Sequence, residues 1–188
     1  MAYPNRPKRG AKSVPLVLAA APGMTMDEVA AASTAAFDVP SADKLRGIVH
    51  PKQPCAVELR HADRGFTLPV GLYNVVDAHK GTVYRVTSTP QEDYLGLNAT
   101  IELVKLVAET ISALPAWKSI ETPNHEALPR ALPQRKAAIL GRWEVETWVA
   151  ELRTKQDLMT GTEEARGMGL PDGAFMTTLT IWDTELWP

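Results

Sequence analysis

The stretch GRWEVETWVAELRTKQDLM, residues 141–159, decides the fold, because two periodicities compete within it. With period two, Trp143, Val145, Thr147 and Val149 share one face, while Glu144, Glu146 and Trp148 share the other. With helical spacing, Val145, Trp148, Val149, Leu152 and Met159 gather on one side, and Glu151 precedes Lys155 in the favourable i, i+4 order. The Trp-Val-Thr content and Gly141 favour a strand only as far as Val149. The helical pattern covers more residues and predicts a helix over 145–159.

Upstream, Thr25 and Glu28 form a capping box for an alanine-rich helix that should end near Asp38, because Pro40 disfavours helical geometry at Val39. Residues 55–88 read as a β-meander broken by HADRG and DAHKG, with Gly65 and Gly81 supplying positive φ; its firmest hairpin pairs 72–76 with 82–87. Thr89, Pro90 and Glu92 then signal a helix start, with a helix running through Leu114. Its polar stripe of Asn98, Glu102, Lys105, Glu109 and Ser112 is narrow, so burial on most sides is expected. Pro115, Pro123, Pro129 and Pro133 break up the next segment, regular structure resumes at Gln134, and TGTEEARGMGLPDGA (160–174) is a glycine-rich excursion. The chain closes on a Thr-rich, β-type segment.

The expected fold class is α+β: a small antiparallel β-meander packed on one long, mostly buried helix, with an extended N-terminal arm and irregular Pro- and Gly-rich excursions. The expected division is a basic, Pro-rich arm (1–22), a core domain (23–159, with an excursion at 115–133) and a C-terminal tail (160–188). At 188 residues, 45% apolar and 22% charged, the chain has a globular balance and length enough for a real core. A net charge of −2 gives no global pull toward nucleic acid or an acidic membrane. One cysteine, Cys55, excludes an internal disulfide. The apolar run VPLVLAAAP (14–22) is too short to span a membrane, and with Pro15 inside it makes a poor secretory signal, so no cleaved leader is expected.

No catalytic constellation emerges. Glu144 and Glu146 between tryptophans could flank a glycosidic bond, and Cys55 with a distant histidine could form a nucleophilic pair, so a small hydrolase is the first alternative reading. The acidic strands of some glycosidases are similar to WEVETW but carry a third acidic residue that is missing here. His50, His61, His79 and His125 show no metal-ligand spacing, and Asp63 beside His61 has a turn to stabilise; no metal or other cofactor is expected. SADK (Ser41 to Lys44) matches S-x-x-K without its S-D-N and K-T-G companions, and reads better as a capped helix start. The sequon at Asn98 falls in the expected buried helix. Neither a dinucleotide fingerprint nor a P-loop is present.

Arg6, Lys8, Arg9 and Lys12 form the one charge feature able to touch phosphates, which makes a nucleic-acid-associated module the second alternative. The arm, the proline-broken segment and the tryptophan-bearing C-terminus all read as segments that become ordered on a protein partner. Their anchors would be those four cations with Trp117, Trp148, Trp182 and Trp187. The leading expectation is a non-enzymatic structural or assembly subunit of a homo- or hetero-oligomer. The type is common among virion components of tailed bacteriophages (connector, tail or decoration proteins), cytoplasmic during assembly and then in the virion. No family motif was found.

Overall fold

The protein is described by a computed structural model covering residues 14–40, 45–123, 137–156, 163 and 174–188. It is mostly β, which overturns the expected α+β arrangement around one dominant helix. Among the described residues there are ten strands: β1 (Val17–Ala20), β2 (Arg46–Val49), β3 (Cys55–Leu59), β4 (Phe66–Gly71), β5 (Tyr73–His79), β6 (Thr82–Thr89), β7 (Lys118–Glu121), β8 (Ala137–Val145), β9 (Trp148–Gln156) and β10 (Phe175–Asp183). Two helices join them, α1 (Met26–Ala32) and α2 (Leu97–Ser112). The strands form a seven-stranded sheet in the order β2-β5-β6-β10-β9-β8-β7, antiparallel throughout, and a three-stranded sheet, β1-β3-β4.

The opening stretch is a β-hairpin. Val145 pairs with Trp148 across a two-residue turn, in which Glu146 takes a left-handed φ of 51°. The helix expected at 145–159 is therefore absent over its described part. Tight turns of this kind usually announce themselves with Asn-Gly or Asp-Gly; Glu-Thr carries no such signal. The turn also shifts the phase of the alternation, so that Trp143 and Val145 on β8 share the core face with Trp148, Ala150, Leu152 and Thr154 on β9. A single period-two reading across 143–149 misses that shift, and the leftover spacings imitate a helix. Gly141 has a second role: a Cβ there would lie 2.6 Å from the Trp143 ring, so glycine makes room for the indole. The Trp143 Nε1–H in turn donates to Ser112 Oγ at 3.1 Å, tying the end of α2 to the sheet.

The predicted meander exists but is split between the sheets. β3 pairs with β4 in one and β5 with β6 in the other, and the chain changes sheet at Gly71. A Cβ at Gly71 would meet the Thr89 carbonyl oxygen at 2.4 Å, so only glycine allows this corner. Buried Asn74 braces it, donating to the Cys55 and Gly71 carbonyls and accepting from Ser88 Oγ. The β5–β6 hairpin is the one expected from DAHKG, with positive φ at Lys80 and Gly81. Gly65 does not take positive φ; its constraint is space, because a Cβ would sit 2.6 Å from the His61 carbonyl.

Both helices are shorter than expected. The Thr25–Glu28 capping box is present, but α1 ends at Ser33, whose hydroxyl accepts from Ala19 N–H on β1. The Thr89–Pro90–Glu92 signal starts no helix: Thr89 completes β6, and α2 begins after Gly96. Nor is α2 buried on most sides. It presents Thr100, Val104, Val107, Ala108 and Ile111 to the core, and leaves Leu106 half exposed and Asn98 on its outer side. One apolar cluster runs from Leu18 and Val29 through Leu59 and Phe66 to α2, Trp143, Leu152 and Ile181, so both sheets close on a shared core. No helix of the described residues is long and apolar enough to cross a membrane.

Trp143 is fully buried. Trp143→Ala should cost about 3–5 kcal/mol, through lost burial and an unfilled cavity. Trp143→Phe should cost about 1–2 kcal/mol, through the lost hydrogen bond and smaller ring. Urea unfolding followed by circular dichroism measures both, and a Trp143→Phe variant as stable as wild type would show that the indole N–H contributes nothing.

Candidate functional site

Arg6, Lys8, Arg9, Lys12, Ser41, Lys44 and His125 lie outside the described residues. Trp117 and Trp148 are core residues of this chain. Trp117 Nε1–H donates to the Arg64 carbonyl at 3.1 Å and its ring meets Phe66 edge-on. Trp148 meets His61 edge-on at 5.2 Å and lies beneath the Arg64 guanidinium at 5.1 Å. Arg64 also bonds Glu146 at 2.5 Å, so the HADRG turn and the β8–β9 turn are clamped together.

The two glutamates of WEVETW do not form a catalytic pair. Glu144 projects from the exposed side of β8, while Glu146 occupies the turn and is held by Arg64. Cys55 is fully buried; burial pushes its thiol up, against smaller opposing hydrogen bonds from Asn74 Nδ2 and the Leu18 backbone. A thiol in that state is a poor nucleophile near neutral pH. Among the described residues no three histidine, cysteine or acidic side chains gather in a way that could hold a metal ion.

The chemistry that does converge lies on the face of the seven-stranded sheet turned away from α2. There Glu151 on β9 sits opposite Arg142 on β8, with Arg153 two residues along the same strand. Arg142 donates from Nε and Nη2 to Glu151 Oε2, and Arg153 Nε donates to Oε1. The Glu151 side chain is only 4% exposed. Burial works against its ionisation, but the hydrogen bonds from Arg153 and Arg142 outweigh that, and its carboxyl lies below the ordinary value. The pairing follows from the two-residue turn: once 145 faces 148, 142 faces 151. A helical reading instead assigns Glu151 to Lys155, which explains why this triad escaped the sequence.

Beside it stands an aromatic group. The β5–β6 pairing slips after Asp77, which faces Arg85, while Ala78 faces Val83; Tyr84 is the extra, bulged residue. Arg85 Nε donates to Asp77 Oδ2 at 2.8 Å, and its guanidinium lies 5.8 Å from the Tyr84 ring and 5.3 Å from the Trp187 ring. Trp187 is brought here by an Asx turn, in which Asp183 Oδ1 accepts from the N–H groups of Glu185 and Leu186. Trp182 and Trp187 then stand 6.5 Å apart at 68°. A depression of about 420 Å³ opens between them, lined by Glu151, Arg153, Trp182, Thr184 and Trp187. A larger one, about 620 Å³, lies over the β3–β4 turn, bordered by the solvent-facing Glu58–Arg60 pair. It gathers no comparable chemistry, and the smaller depression is the better candidate site.

No family model, curated protein or solved structure matches this chain.

Because Glu151 ionises more readily folded than unfolded, its stabilising contribution is full above the unfolded carboxylate range and is lost as pH falls through its folded value. Glu151→Gln should cost about 2 kcal/mol at pH 7, discounted for the partial exposure of both arginines. The gap from wild type should narrow steadily below about pH 4.5. Thermal unfolding from pH 7 to pH 3 tests this, and a constant gap would show the triad contributes no pH dependence.

Proposed function

We propose that the protein is a non-enzymatic assembly subunit that joins a larger protein complex through the edges of its seven-stranded sheet. One observation carries the reading: the two end strands of that sheet present apolar side chains outward. Beside β2 and the start of β5, Leu45, Ile48, Leu72 and Tyr73 are each at least half exposed. At the opposite edge all four residues of β7 are exposed, Ile120 among them, and Ile139 of the neighbouring β8 is exposed as well. Edge strands invite pairing with another chain, and proteins that stay monomeric usually cover them.

The small sheet shows such covering. On β1, the N–H groups of Val17 and Ala19 donate to the hydroxyls of Thr34 and Ser33, and the Val17 carbonyl accepts from Thr34 and Ala35. Among the described residues, the backbone of β2 bonds only to β5. Strand addition at such an edge draws affinity from main-chain hydrogen bonds and specificity from alternate side chains, here Arg46 and Ile48. The proposal concerns this class of protein; the expectation of a phage virion component gains no support from the geometry. The hydrolase reading is not favoured either, with Cys55 buried and Glu144 and Glu146 apart.

Light scattering on purified protein over a range of concentrations should show a mass above that of the monomer that rises with concentration. Ile48→Lys should shift the population toward monomer, as should deletion of residues 1–13, while neither changes the circular dichroism spectrum. A monomer at every concentration, without association with any co-purifying protein, would count decisively against the reading.

A further inference from the structure

The Trp182–Trp187 corner does not depend on the sheet edges, and its chemistry selects a different kind of ligand. Trp187 is 49% exposed at the surface of the depression, and Trp182 is partly exposed beside it. At 68° the two rings do not form a parallel slot that would sandwich a flat nucleobase. They form a platform with a side wall. A cation is disfavoured, because Arg85 already lies over the Trp187 and Tyr84 rings, and Arg153 lines the polar side. A free phosphate or carboxylate would meet the Glu151 carboxylate in the same wall.

What remains is a neutral molecule with an apolar face and a polar rim. The Glu151 carboxylate is fixed by two guanidinium groups, so its remaining acceptor capacity is aimed without mobility. Arg153 is half exposed and engages Glu151 through Nε, which leaves its terminal nitrogens as donors. The Thr184 hydroxyl, donating to the Thr147 carbonyl, still accepts. Two flat rings set against oriented donors and acceptors match a pyranose, whose C–H face packs on an indole while its hydroxyls reach the rim. A volume of about 420 Å³ falls within the range of small-molecule sites.

We propose that this corner is a saccharide-binding site, with Trp182 and Trp187 as stacking surfaces and Glu151, Arg153 and Thr184 as hydroxyl partners. No bond is broken there; the site holds a sugar, and its occupancy is independent of edge-mediated assembly.

Isothermal titration calorimetry of the full chain with cellotetraose, chitotetraose and maltotetraose tests the proposal. At least one should bind saturably, with a Kd on the order of 0.1–1 mM, as befits one shallow open site. Trp187→Ala should weaken that binding by about tenfold while the thermal melt stays unchanged, and Arg153→Gln should weaken it by a similar factor while lowering the melt through its lost bond to Glu151. Ile48→Lys should leave sugar affinity intact, which separates this site from the assembly reading. The proposal is overturned by the absence of saturable binding to all three sugars up to ~10 mM. Unchanged affinity in both Trp187→Ala and Arg153→Gln would overturn it as well. So would preferential binding of an oligothymidylate, which would reassign the corner to base stacking.

Discussion

Strand β10 joins two halves that are otherwise separate. On one side of it lie β2, β5 and β6; on the other lie β9, β8 and β7. Its ladder with β9 runs its full length, from Phe175 opposite Gln156 to Asp183 opposite Trp148. Its ladder with β6 covers only Leu179 to Trp182. Beyond that, Gln91 substitutes for the missing strand: its Oε1 accepts from Thr177 N–H, and its Nε2 donates to the Phe175 carbonyl. A side-chain amide carries the same donor and acceptor as a peptide group, so buried Gln91 meets the hydrogen-bonding demand of a backbone that has already turned toward α2. The strand that closes the sheet thus follows both halves in sequence. The joining of the two halves is therefore a non-local pairing, the kind that slows folding relative to local contacts.

This arrangement also creates the two unlike surfaces. One face of β10 sends Phe175, Leu179 and Ile181 into the core, while Thr178, Thr180 and Trp182 alternate onto the other. Two local irregularities concentrate aromatic and charged groups on that second face. The bulge at Tyr84 turns Tyr84 beside Arg85, and the Asp183 turn folds Trp187 back toward them. Bulges and Asx turns are cheap ways to re-aim one or two side chains without disturbing a ladder, and both occur where the surface chemistry gathers.

The parts of the fold legible in the sequence were those set by short-range chemistry. Thr25 and Glu28 cap α1 because the box needs only its own residues, and Lys80–Gly81 forms a turn because glycine tolerates positive φ. The failures came from non-local terms. Thr89 and Pro90 carry a respectable helix signal, yet Thr89 is held in β6 opposite Tyr73. Leu106 belongs to the wide apolar part of α2 beside its narrow polar stripe, but the sheet covers only one side of the helix. Of the anchors expected from composition, Trp117 and Trp148 pack inside, whereas Trp182 and Trp187 remain at the surface. Tryptophan content marks both core and surface, and what separates them here is tertiary: the side of the strand for Trp148 and Trp182, and the Asp183 turn for Trp187.

The hairpin at 141–156 shows why a correct period does not by itself revive a chemical reading. Were WEVETW one continuous strand, Glu144 and Glu146 would project from the same face, close enough to act on one bond. The turn at Glu146–Thr147 removes that geometry, sending Glu146 to Arg64 and leaving Glu144 on the sheet. The same turn builds something else. By setting Val145 against Trp148 it sets Arg142 against Glu151, a pair separated by nine residues. The carboxylate that matters on this hairpin is therefore the buried one, and its partners are guanidinium groups rather than a second acid. A carboxylate so neutralised is a poor proton acceptor; it holds a fixed hydrogen-bond acceptor in place beside the exposed Trp187 and the partly exposed Trp182.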